Sequence, residues 1–95
     1  MSQPPIEIFY ADVCGLCHKA MDYFRSRDLE FTAYEIGYDG KKDEWLPSKN
    51  LDDIIRRVGP IDFVPQIFVN ETHIAGWKKL EPMIENGEFD QLLDA

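Results

Sequence analysis

Short apolar runs alternate along the chain with stretches in which apolar residues return every three or four positions. Ile6 to Tyr10 is the first such run, β-branched and aromatic with Glu7 inside it. It predicts a strand, and its nearly unbroken apolar character predicts burial on both faces. From Gly15 to about Asp28 the pattern turns helical. Leu16, Ala20 and Phe24 fall at four-residue spacing beside Cys17 and Met21, while Lys19, Asp22, Arg25 and Arg27 fill the remainder. Phe31 to Ile36 predicts a second strand, and Gly37 to Lys49 reads as a loop with turn residues Gly37, Asp39, Gly40 and Pro47.

Asn50 offers a cap for a second helix, whose apolar stripe is Leu51, Ile54, Ile55 and Val58 and whose stop is Gly59-Pro60. Gln66 to Val69 predicts a third strand and His73 to Ala75 a fourth, joined as a hairpin through Asn70-Glu71. A last helical region starts near Lys78, with Pro82 in its first turn and Leu80, Met83 and Ile84 facing inward. Asn86-Gly87 closes it, and Phe89, Leu92 and Leu93 add a final turn or two. The order β-α-β-α-β-β-α predicts an α/β fold, with a right-handed parallel crossover at the start and antiparallel pairing at the end. The sheet is then four-stranded and mixed, with helices on both faces. No repeat or linker interrupts the pattern, and 95 residues predict one domain over 1–95.

Charge narrows the choice of partner. The net charge of −8 repels phosphate backbones and anionic membrane surfaces, and no basic run exceeds two residues. Nucleic acid and membrane are therefore not expected partners; the charge serves solubility. No apolar stretch approaches the roughly 20 residues that span a bilayer. Met1-Ser2-Gln3-Pro4-Pro5 lacks the charged start and apolar core of a secretory signal. The expected location is the cytoplasm, where thiols start reduced and a structural disulfide is not expected.

The candidate chemistry is Cys14-Gly15-Leu16-Cys17, placed where the first strand hands over to the first helix. C-x-x-C beside a βαβ pattern is a thioredoxin-like redox motif. A cysteine at a helix N-terminus faces unpaired backbone N–H groups and the positive end of the helix dipole, both of which favour thiolate. A cysteine three residues on lies about one turn deeper on the same face, within reach of a mixed disulfide held on the first. Cys14 is therefore the expected nucleophile and Cys17 the resolving thiol. The competing reading is half of a zinc site. A structural zinc needs four ligands, and the further candidates are His18 and His73. His18 either adds positive field when protonated or is a solvated helix residue.

Three segments together resemble the glutaredoxin family: Tyr10-Ala-Asp-Val-Cys-Gly-Leu-Cys17, Phe63-Val-Pro-Gln-Ile-Phe-Val69, and His73-Ile-Ala-Gly-Trp77 followed by Leu80. The resemblance implies a thioredoxin fold with Pro65 in a cis peptide bond. It also implies that the backbone N–H and C=O of Val64 face the cysteines, where a peptide-like substrate such as glutathione pairs as an added strand. It implies a dithiol oxidoreductase that reduces protein disulfides and glutathione mixed disulfides. Glutathione is then the reducing co-substrate, no cofactor is tightly bound, and the expected state is a monomer.

Two departures qualify the resemblance. The family usually carries Gly-Gly, a variable residue and two Asp in the third segment; here the run is Ala75-Gly76-Trp77-Lys78-Lys79. The expected glutathione contacts are Val64, Pro65, Gly76, Trp77 and Lys78, with Lys78 facing the γ-glutamyl carboxylate while the ammonium group loses its partner. The Gly-aromatic-basic run also resembles redoxins dedicated to ribonucleotide reductase and reduced by thioredoxin reductase. The Gly37 to Lys49 loop is similar to insertions in phage glutaredoxins that serve the same enzyme. Upstream, where many members carry a Lys, this chain has Ala11, Asp12 and Val13, and Asp12 would oppose the thiolate. Trp77 either covers the last helix or offers a docking surface for a protein partner, and Tyr10 is assigned to the sheet core. A third reading is a 2Fe-2S cluster between two subunits, each giving its first Cys and a glutathione, with Gly15 leaving room.

Overall fold

A computed structural model describes residues 3–94. Met1 and Ser2, part of the stretch read for a secretory signal, lie outside the described residues, as does Ala95. The elements are β1 (Ile6–Tyr10), α1 (Gly15–Ser26), β2 (Thr32–Glu35), β3 (Tyr38–Asp39), β4 (Glu44–Trp45), α2 (Lys49–Val58), β5 (Gln66–Val69), β6 (Thr72–Ala75), α3 (Trp77–Glu85) and α4 (Glu88–Asp94). The main sheet runs β2-β1-β5-β6. β1 pairs parallel with β2 and antiparallel with β5, and β5 pairs antiparallel with β6 in the register Val69 to Thr72. The four-stranded mixed sheet predicted from the pattern is therefore present, with β1 at its centre.

Strand alternation divides the core into two layers. Ile6, Ile8, Ile67, Val69 and Ile74 face Cys17, Ala20, Met21 and Phe24 of α1, Leu80 of α3 and Phe89 of α4. On the opposite face, Phe9 and Phe68 pack with Ile36, Ile61 and Ile54 of α2. Helices thus cover both faces. Each fully buried Ile, Leu or Phe contributes roughly 1.5–3 kcal/mol of transfer free energy, so these two layers hold the sheet. Phe24 and Phe89 stack with centroids 5.9 Å apart and lock α4 to α1. Glu7, the one charge in the central strand, is held by both terminal nitrogens of Arg57 at 3.1 Å. The same guanidinium lies 3.7 Å from the Phe68 ring centroid.

Several boundaries differ from the sequence reading. The inward row of α1 is Cys17, Ala20, Met21 and Phe24; Leu16 is exposed, because its neighbour Cys17 takes the sheet-facing position of the first turn and Leu16 is left facing outwards. Ser48, not Asn50, caps α2: its hydroxyl accepts the Leu51 N–H at 3.1 Å, and Asn50 instead donates to the Glu35 carbonyl at 2.8 Å. Within α2, Ile54 is buried while Ile55 is exposed. The predicted loop over 37–49 contains the antiparallel β3–β4 pair, Tyr38 opposite Trp45 and Asp39 opposite Glu44. Helix α3 begins at Trp77, directly after Gly76, which places Pro82 in its second turn rather than its first. Gly87, at φ 86°, separates α3 from α4.

Candidate functional site

Chain direction changes between β1 and α1 through a turn in which the Cys14 N–H donates to the Ala11 carbonyl at 3.0 Å. Cys14 is the extended N-cap residue of α1, at φ −92° and ψ 110°, and its Sγ accepts the Cys17 backbone N–H at 3.2 Å. As a thiol it also donates to the Val64 carbonyl at 3.6 Å. No acidic side chain occupies the first turn of α1 to offset the positive helix end. Cys14 is half-buried, and Cys17, packed into the sheet layer, is fully buried. Burial, then a hydrogen bond with the Cys14 sulfur and its charge, push the Cys17 thiol well above the usual thiol range. The two sulfurs therefore differ in access, and the buried one holds its proton more tightly than an ordinary thiol.

The two later segments close on this turn. The Val64–Pro65 peptide is cis, as the resemblance implied, and the Val64 carbonyl is the one that meets Cys14. The Gly76 N–H donates to the Pro65 carbonyl at 2.9 Å, tying the third segment to the second. Gly76 stands at φ 89° and ψ 162°, a region open essentially to glycine alone, and a Cβ there would lie 2.8 Å from Cε2 of Phe63.

Two grooves meet at Val64, which lines both; Cys14 lines the second of them. The first, about 340 Å³, is walled by Leu16, Phe63, Ala75, Gly76, Trp77 and Lys78. It brings together Val64, Gly76, Trp77 and Lys78, while Pro65 is buried behind them. Trp77 packs against the core and also lines the groove, and Lys19 Nζ sits 5.2 Å over its ring. Leu16 and Phe63 were not foreseen as site residues. Their signal was present in Phe63, a large apolar residue next to the Val-Pro step where no helix or strand needed one.

The second groove, about 600 Å³, has Cys14 in its lining and opens towards the β3–β4 hairpin. Tyr38, Asp43, Glu44 and Trp45 form one wall and Asp62 another. The Trp45 indole N–H donates to the Ile61 carbonyl at 2.9 Å, which pins the hairpin to the segment leading into Val64. Nothing in the sequence pattern alone distinguished this hairpin from an ordinary loop.

The remaining candidates fall outside the grooves. His18 Nε2 hydrogen-bonds the Asp12 carbonyl at 2.7 Å, and the Asp12 carboxylate, well exposed, is 3.8 Å from the same ring. Tyr10 is half-buried against the core and meets His18 edge-on at 6.3 Å. His73 hydrogen-bonds Gln66 at 2.6 Å and stacks on Phe68, which belongs to the α2 side of the sheet, whereas Cys17 belongs to the α1 side. The sheet therefore stands between His73 and the cysteines. Among the described residues there is no group of three or more His, Cys, Asp and Glu arranged to hold a metal ion. Among them, too, no helix is long and apolar enough to cross a membrane.

Comparison with known proteins agrees with the geometry. The Glutaredoxin family model matches residues 6–74. Glutaredoxin-C4 of Arabidopsis thaliana is 32% identical over 93 residues, covering 98% of this chain; the chain spans 64% of that relative's length. Glutaredoxin of Pseudomonas aeruginosa is 32% identical over 92 residues, covering 97% of this chain and 99% of the relative. Among solved structures, the dithiolic glutaredoxin 2-C-Grx1 of Trypanosoma brucei brucei superposes with a TM-score of 0.70 at 25% identity, over 95% of this chain and 87% of the other.

Proposed function

Because this chain belongs to the glutaredoxin family of thiol–disulfide oxidoreductases, we propose that it is a dithiol disulfide reductase in which Cys14 attacks and Cys17 resolves. The observation that carries this reading is the asymmetry of the pair. Cys14 is half-buried in the lining of the hairpin-side groove and its sulfur takes the Cys17 N–H, while the Cys17 sulfur is buried and holds its proton.

The steps follow from that asymmetry. The Cys14 thiolate attacks one sulfur of a substrate disulfide; a new S–S bond forms, the old one breaks, and one substrate thiolate leaves. Cys14 then carries no charge, so one of the influences that hold the proton on Cys17 is gone. Cys17 passes its proton to the departing substrate thiolate or to water, attacks the Cys14 sulfur and expels the second substrate thiolate, which takes a proton from water. The protein is left with a Cys14–Cys17 disulfide and the substrate with two thiols. The Val64 main chain, at the edge beside Cys14, gives an extended substrate its backbone partner.

For the electron donor the reading is glutathione, two molecules of which return the disulfide to dithiol. Val64, Pro65, Gly76 and Trp77 shape the groove for it, and Lys78 offers a cation to its carboxylate. The protein acts as a monomer of one domain in a reducing cytoplasm. One observation favours a second donor. Trp77 and Lys78 line the groove where the family usually places carboxylates, and this surface suits thioredoxin reductase as donor and ribonucleotide reductase as client.

The test is NADPH oxidation coupled to a small disulfide, with glutathione plus glutathione reductase in one arm and thioredoxin reductase in the other. Faster turnover in the first arm is expected. Turnover in the second arm alone reassigns the donor, and no turnover in either removes the proposed activity. A brown, dimeric product carrying iron and sulfide would replace it with cluster binding.

A further inference from the structure

The two grooves that meet at Val64 differ in charge. On the Trp77 side the wall is mostly apolar, with Lys78 at its edge. On the hairpin side Asp43, Glu44 and Asp62 line the cavity with the aromatic rings of Tyr38 and Trp45, and no cationic side chain is among the lining residues. Among the described residues, none of these three carboxylates takes part in an ion pair. Asp43 accepts the Tyr38 hydroxyl, and that bond orients the carboxylate without neutralising it. Lys41 and Lys42 of the same hairpin are absent from the groove lining and form no ion pair with these carboxylates among the described residues.

The hairpin is also fixed in place. Trp45 is bonded to Ile61, and Leu46 N–H donates to the Gly37 carbonyl at 2.9 Å. A Cβ on Gly37 would fall 2.9 Å from Leu46 Cδ1, so the base of the hairpin closes tightly there. The acidic, aromatic wall is therefore a built part of the groove that Cys14 opens into.

We infer that the preferred substrates are protein disulfides whose cysteine has, two residues away on one side, a Lys or Arg that enters the hairpin-side groove. This deepens the proposed function and rests on it. In an extended segment paired with the Val64 main chain, the residues two before and two after the cysteine share its face, and they are the ones that reach the two grooves. A cation in the hairpin groove meets Asp43, Glu44 and Asp62 and lies within reach of the Tyr38 and Trp45 faces. A carboxylate at the same place meets like charge and no counter-ion. In a cleft of one sign the local field raises encounter with the opposite charge and suppresses the like one.

The experiment uses reduced protein and two hexapeptides identical except for Lys or Glu two residues from the single cysteine, each capped as a mixed disulfide with 2-mercaptoethanol. Each variable residue is placed in turn before and after the cysteine. The second-order rate constant for mixed-disulfide exchange is read by mass spectrometry of the quenched reaction. In one of the two placements a Lys-to-Glu rate ratio of about 10 is expected at low ionic strength, falling several-fold at 0.5 M salt as the Debye length shrinks below about 5 Å. Glu44→Gln and Asp62→Asn should each lower the ratio. Glu71→Gln removes the same charge at the β5–β6 turn, at the far end of the sheet, and should lower it less. A ratio near one or inverted in both placements overturns the inference. So does a ratio that Glu71→Gln lowers as much as Glu44→Gln, which would assign it to the overall charge of −8. A neutral control, bis(2-hydroxyethyl) disulfide, separates the two levels. If wild-type protein reduces it without peptide discrimination, the specificity fails alone; if it is not reduced, the proposed activity fails as well.

Discussion

The Cys17 backbone amide supports the Cys14 sulfur across 3.2 Å, while the Cys17 side chain itself is sealed beneath it. One residue thus contributes through its main chain to positioning the first sulfur and through its thiol to the second step. The two contributions separate under mutation. Cys14→Ser should abolish reduction of both protein disulfides and glutathione mixed disulfides. Cys17→Ser keeps the amide, so it should lose protein-disulfide reduction yet retain part of the deglutathionylation rate, which needs one thiol. Steady-state assays with both substrates on both variants check this. Complete loss of deglutathionylation in Cys17→Ser would count against glutathione as the donor.

The buried thiol also predicts a pH dependence of stability. Burial first, then the neighbouring Cys14 sulfur, raise the Cys17 pKa in the folded protein. The folded state therefore holds a proton that the unfolded state releases. The resulting stabilisation is complete below the ordinary thiol pKa of about 8.5 and is lost as pH rises above it. One proton corresponds to a slope of up to about 1.4 kcal/mol per pH unit. Urea unfolding of the reduced protein between pH 7 and 10 should show stability falling more steeply than in Cys17→Ala, which lacks the group. Parallel slopes in the two proteins would contradict it.

Gly76 is constrained twice. Its φ of 89° with ψ of 162° excludes a side chain on backbone grounds, and Phe63 occupies the space a Cβ would enter. Gly76→Ala should cost about 1–3 kcal/mol from the backbone alone. Adding Phe63→Ala should recover only the part due to the ring contact. Chemical denaturation of the single and double variants measures both parts, and full recovery in the double variant would show that the backbone conformation is not costly there.

Much of this arrangement was legible in the sequence, for physical reasons that also mark where legibility ended. β1 and β5 announced themselves because a central strand buried on both faces must be apolar throughout, and Ile6–Tyr10 and Gln66–Val69 are nearly so. Cys14 and Cys17 could be located because their C-x-x-C spacing falls where a strand hands over to a helix, whereas Val64 and Gly76 were marked only by the family resemblance and by no local rule. Helix phase was harder: Leu16 and Cys17 are adjacent, and only tertiary packing decided that Cys17 faces the sheet and Leu16 the groove. Capping was ambiguous because Ser48 and Asn50 both offer a suitable side chain; Asn50 found its partner in Glu35, a contact 15 residues away that no local rule supplies. Two-residue strands carry no periodicity, so the β3–β4 hairpin and its acidic wall were invisible.

That hairpin depends on Trp45. Its indole N–H reaches the Ile61 carbonyl at 2.9 Å, its ring meets Tyr38 at 5.4 Å between centroids, and it packs against the α2-side core. Trp45→Phe keeps an aromatic body but deletes the donor, leaving the Ile61 carbonyl without that partner. The net loss should be about 1 kcal/mol, concentrated in the hairpin rather than spread over the sheet. Amide hydrogen exchange distinguishes these cases. The Leu46 N–H, bonded to Gly37, should exchange roughly 5-fold faster in Trp45→Phe, the factor that about 1 kcal/mol of local opening implies. The amides that join β1 to β5 belong to the core and should be unaffected unless the loss is global. Equal acceleration in both places, or in neither, would show that the indole bond does not hold the hairpin against the segment that carries Val64.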